Sequence, residues 1–95
     1  MPNTFHYRFV TDDCIDIGRV DAADVQDAAA EVLLADAGSG IPRWKVYGIS
    51  DKVLNRIPRD AELVDVASGS HKYSLDLRKA GTRKRKPVRV LDAWS

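Results

Sequence analysis

Cysteine is almost missing from this sequence. Cys14 is the single one among 95 residues, so no internal disulfide can form and nothing asks for an oxidising compartment. Long apolar runs are missing too. No stretch approaches the roughly 18–20 residues that a membrane-spanning helix needs. The opening MPNTFHYRFV has neither a basic leader nor an apolar segment, so no secretory signal is expected and the cytoplasm is the default location. Internal repeats, linkers and low-complexity tracts are also lacking, so residues 1–95 are expected to form one small globular domain. A chain of this length hides only about 60–65% of its unfolded surface, which makes for a thin core.

The groups that usually carry chemistry are equally sparse. His6, His71 and Cys14 are the candidate metal ligands, and no two of them stand at a ligand spacing, so neither a metal nor another cofactor is expected. Cys14 with His6 is the one thiol–imidazole pair that a hairpin could bring together. Asp12, Asp13 and Asp16 surround that cysteine and disfavour a thiolate. The glycines of GSGIPR (residues 38–43) have no G-K-[ST] ending and no helix after them, which is not how a phosphate cradle reads. An enzyme is not expected.

What the chain does have is charge, unevenly spread. Residues 1–41 hold two basic and eight acidic groups, a net of −6, and residues 42–95 hold thirteen basic and six acidic ones, a net of +7. Two surfaces of opposite sign follow. The densest segment is GTRKRKPVRVL (residues 81–91), where Arg83, Lys84, Arg85 and Lys86 stand in a row before Pro87.

The periodicity predicts an α+β fold. Phe5, Tyr7 and Phe9 alternate with His6, Arg8 and Val10, and Ile15 and Ile17 alternate with Cys14 and Asp16. Two period-two runs around a short polar break predict a hairpin. The alanine-rich segment from Asp21 predicts a long helix over about 22–37, with Asp21 as its N-cap and Gly38 as its stop. Val25, Ala28, Ala29, Val32 and Leu33 share one side of it, and Asp24, Asp27 and Glu31 the other, while Leu34 points away from the apolar stripe. Trp44 and Val46 predict a third strand, which also carries Lys45 and Tyr47. SDKVLNRIP predicts a short helix capped by Ser50 and stopped by Pro58. Three strands close the chain: ELVDVA, HKYSLDLRK and KPVRVLDAW, joined by turns at SGS and AGT. Short connections make them a meander, and the whole an antiparallel sheet of five to six strands packed by one long and one short helix.

Two binding functions fit this pattern. One is a non-enzymatic protein-interaction or homo-oligomerising module, docking through the acidic helix face (Asp24, Asp27, Glu31, with Leu34) and through a sheet edge marked by Pro87, so that the partner is a protein or a second copy. The other is a nucleic-acid or polyanion binder using Lys72, Arg78, Arg83, Lys84, Arg85, Lys86 and Arg89, with Lys79 beside them, if the last two strands pair in register. The second is not favoured, because the sequence pI of 7.9 is low and a run of Lys and Arg also keeps a sheet edge soluble. No membrane contact is expected.

Overall fold

The structure, a computed structural model, describes residues 2–13, 15–35, 40–41, 48–69, 72–82 and 86–92. Five strands and two helices follow along the chain: β1 (Asn3–Thr11), β2 (Ile15–Ala22), α1 (Val25–Leu33), α2 (Asp51–Arg56), β3 (Leu63–Ser68), β4 (Tyr73–Lys79) and β5 (Val88–Asp92). The fold class is α+β, with a five-stranded sheet in the order β2-β1-β4-β3-β5. The expected third strand around Trp44 and Val46, with Lys45 and Tyr47, lies outside the described residues.

The predicted hairpin is present. Phe9 pairs with Asp16 and Phe5 with Val20, and the Thr11 hydroxyl closes the turn by accepting the Asp13 N–H at 3.3 Å. The register puts Asp16, Gly18 and Val20 on the aromatic side, so Ile15 and Ile17 face the other way. Gly18 lies under the Tyr7 ring: a Cβ there would stand 2.8 Å from the Tyr7 hydroxyl oxygen. The strand gives up a side chain at Gly18, and the ring of its neighbour takes the space.

The predicted meander is corrected. β4 pairs antiparallel with β3, as expected, but its other edge is taken by β1, with Phe9 opposite Leu75 and Tyr7 opposite Leu77. With both edges of β4 occupied, β5 has no place beside it. Instead β5 pairs with the far side of β3, in parallel, with Val64 opposite Val88 and Val66 opposite Val90. The sheet is therefore mixed rather than antiparallel. The AGT turn itself is as predicted: Gly81 has φ +84 and the Thr82 N–H donates to the Lys79 carbonyl at 3.1 Å.

The long helix is also corrected, to nine residues. Its start moves because Ala22 is still a strand residue, opposite Asn3, and Asp21 is engaged across the hairpin, where its Oδ1 accepts the Thr4 hydroxyl at 2.7 Å. Asp24 is the N-cap, with Oδ1 accepting the Asp27 N–H at 2.8 Å. Leu34 is the C-cap; Asp36 and Gly38 lie outside the described residues. The predicted apolar side holds: Val25, Ala28, Ala29, Val32 and Leu33 are all buried. α2 spans six residues, so the two helices are not the long and short pair expected. Ser50 caps it as predicted, and its Val53 is buried.

Both helices lie on one face of the sheet. Their apolar residues join Phe5, Phe9, Val64, Val66, Tyr73, Leu75, Leu77 and Val90 in one buried cluster. Gln26 ties the helices together, its side-chain amide donating to the Leu54 and Ile57 carbonyls at 2.8 and 3.1 Å. Arg56 of α2 donates to the Leu91 carbonyl at 2.8 Å, which anchors β5.

The Tyr7–Gly18 contact makes a prediction. Gly18→Ala lowers stability by about 1–3 kcal/mol through overpacking. In a Tyr7→Ala background the same change becomes neutral or stabilising, since glycine within a strand costs about 0.5–1 kcal/mol relative to alanine. Urea midpoints of the four proteins measure this. A penalty that survives the loss of Tyr7 would show that the ring is not its cause.

Candidate docking surface

The expected helix-face site is only partly assembled. Asp27, Glu31 and Leu34 line a shallow groove of about 600 Å³ together with Ala22, Ala23, Ala30 and Ala35. Asp24 does not join them. Besides capping α1, its Oδ2 accepts from Arg59 at 2.8 Å, and the same guanidinium stands 3.8 Å from Asp27. The Asp24 carboxyl is held below the ordinary carboxylate range, chiefly by the Asp27 N–H it accepts; desolvation opposes this and Arg59 reinforces it. This stability is present above the unfolded pKa and is lost only as pH falls through the lower folded one, below about pH 4. Asp24 is thus a structural carboxylate, and Arg59 already neutralises part of the acidic face.

The expected polyanion set is dispersed among the described residues. Lys72 precedes the first residue of β4 and Arg78 lies near its far end, about 20 Å away at the rise of a strand. β3 separates Arg78 on β4 from Arg89 on β5. Arg89 forms an ion pair with Asp65 at 3.5 Å. Lys86 lines a cleft of about 300 Å³ that also holds Asp60 and Glu62. The antiparallel pairing that would have joined the last two strands into one patch does not occur. Arg83, Lys84 and Arg85 lie outside the described residues, as do Cys14 and His71.

The surface that sequence reasoning missed is the sheet face opposite the helices. No described element covers it. The strand registers order its side chains into rows that cross the sheet. One row runs Ile15, Val10, Ser74, Ala67, Leu91, from edge to edge. The next runs Ile17, Arg8, Asp76, Asp65, Arg89, and a third runs Arg19, His6, Arg78, Leu63. Ile15, Ile17 and Leu91 keep 59%, 70% and 50% of their surface exposed. Beside Val10, the small Ala67 and Ser74 leave a cleft of about 190 Å³. The one sequence signal for this face was that Ile15 and Ile17 alternate with a carboxylate and a glycine.

The middle of the charged row is strained. Asp65 and Asp76 are directly opposite across β3 and β4, and like charges so placed are destabilising. The Asp76 carboxyl is raised above the ordinary range: desolvation is the larger cause, the Asp65 charge and hydrogen bond the next, and Arg8 opposes them.

A comparison with known proteins found no matching family model, no matching curated protein and no matching solved structure. The function therefore rests on the geometry of this chain. No helix among the described residues is long and apolar enough to cross a membrane.

A raised folded pKa means that the ionised Asp76 opposes folding, so stability is gained as pH falls through that pKa and the gain is complete below the unfolded one. Asp76→Asn accordingly raises Tm at pH 7, and the advantage disappears below about pH 4, where the wild-type carboxyl is protonated in both states. Thermal unfolding of the two proteins between pH 3 and 7 checks this. Equal Tm values at pH 7 would contradict the raised pKa.

Proposed function

We propose that this chain is a small, non-enzymatic protein-interaction module that docks through the open face of its sheet. The observation that carries the reading is the apolar row from Ile15 to Leu91, bordered by Ile17 and by charged residues, on a face that no described element covers. An exposed apolar patch rimmed by polar groups is the usual mark of a protein contact. The docking surface is thereby moved from the acidic helix face, where Arg59 occupies Asp24 and approaches Asp27. Polyanion binding is the weaker reading. On the open face Arg8, Arg19, Arg78 and Arg89 share the surface with Asp21, Asp65 and Asp76, and carboxylates so placed repel phosphate. The single cysteine favours the cytoplasm as the place of action.

A photo-cross-linking residue in place of Ile17, or separately in place of Glu31, tests the assignment in cells. The expected result is a protein adduct from position 17 and none from position 31. Adducts from position 31 alone, or nucleic acid captured at position 17, would overturn it.

A further inference from the structure

We infer that the occupant of the open face is a second copy of this chain, stacked face to face about a two-fold axis that runs along β4. The inference rests on the open-face reading above and names the partner that the row pattern fits.

The argument is one of symmetry. β4 is the middle strand of the order β2-β1-β4-β3-β5. A two-fold axis along it lays β1 over β3 of the second copy and β2 over β5, and keeps each row on its own counterpart read backwards. About this axis the contact is self-complementary where a row matches its own reversal. In the apolar row, Ile15 then meets Leu91 of the second copy, and Val10 meets Ala67, where the cleft of about 190 Å³ offers room for it. In the charged row, Arg8 meets Asp65 of the second copy, and the same pair forms again on the other side of the axis.

An axis along the charged row fails on the same pattern, since it sets Arg8 on Arg8, Asp65 on Asp65 and Arg89 on Arg89. An axis along the apolar row would set Ile15 on Ile15 and Leu91 on Leu91, so contact between Ile15 and Leu91 is what distinguishes the axis along β4. The axis sets Ile17 against Arg89 of the second copy at the ends of the charged row, and it brings Asp76 and Arg78 each up to its own counterpart. They are two positions apart on one strand, about 7 Å, so Arg78 reaches Asp76 of the second copy and the axis holds two cations with two carboxylates. Within one copy Arg8 stands opposite Asp76 and Arg89 pairs with Asp65, and the second copy brings another Arg8 to Asp65.

The face measures roughly 24 by 20 Å from strand spacing and rise, at the small end of specific interfaces, where weak and transient contacts lie.

The test uses the full wild-type chain, half of it isotope-labelled, at about 0.5 mM, a concentration set by the interface size above. Ile15 and Leu91 lie on opposite edges of the sheet, four strand spacings or about 19 Å apart, so contact between them arises only between copies. Isotope-filtered spectra are expected to show Ile15–Leu91 and Val10–Ala67 methyl contacts, and sedimentation is expected to show an average mass that rises with concentration above the 10.5 kDa of one chain towards twice that value. Arg8→Glu alone and Asp65→Arg alone should each weaken self-association at least about tenfold, given the coupling measured for close charge pairs. An equimolar mixture of the two should associate again, because the carboxylate introduced in one variant then faces the guanidinium introduced in the other. Arg8→Gln and Asp65→Asn serve where a reversal disturbs the fold, as judged by circular dichroism. A dimer without the Ile15–Leu91 contact, or one indifferent to Arg8→Glu, overturns the inference. A chain that stays monomeric at this concentration while its position-17 probe still captures another protein sinks the second copy but leaves the open-face reading intact. A monomer with no capture at position 17 ends both.

Discussion

β4 is hydrogen-bonded along both edges, to β1 on one side and β3 on the other, and the rest of the molecule is arranged around that fact. Its inward side chains Tyr73, Leu75 and Leu77 are almost wholly buried, and Phe9 lies opposite Leu75 with its ring 6.1 Å from that of Tyr73. The pairing with β1 joins residues about seventy positions apart in the chain, so it carries a large loop-closure cost that only the burial of this aromatic and aliphatic strip offsets. Once β1 has taken that edge, the last strand must pass β4 and lie against β3. That single displacement makes the sheet mixed and breaks up the basic patch.

The helices complete the asymmetry. α1 and α2 both pack on the face that carries Phe5, Phe9, Leu75 and Leu77, and Gln26 fastens one helix to the other there. A two-layer fold of this kind leaves one sheet face without a cover. In this chain that face is neither wholly polar nor wholly apolar. An apolar row crosses it beside a row in which two arginines flank two aspartates. Within one copy Arg8 stands opposite Asp76 and Arg89 pairs with Asp65, so each of the two opposed carboxylates has an arginine beside it.

Much of the local structure was legible in the residues. The Phe5–Tyr7–Phe9 alternation marked a core-facing strand, and Ser50 and Pro58 bracketed the second helix. The apolar side of the first helix was right residue by residue, though its ends were not, because Ala22 was claimed by the hairpin and Asp21 by Thr4. The candidate site was much less legible. Asp24 read as one of three surface carboxylates, and only the fold shows it capping a helix and holding Arg59.

Local periodicity by itself marked the five described strands, which face of β4 is buried and the turn at Gly81, because these depend on side chains a few positions apart. It did not determine which strands are neighbours, and it left open which side of β2 meets the core. Both depend on contacts between segments far apart in sequence. The register of β2 on β1 turned Ile15 and Ile17 outward, and the capture of β4 by β1 sent β5 beyond β3. Side chains that sequence order keeps apart, Arg8, Asp76, Asp65 and Arg89, become a single row only when the sheet is assembled, since a row across a sheet is a property of register and not of any strand alone.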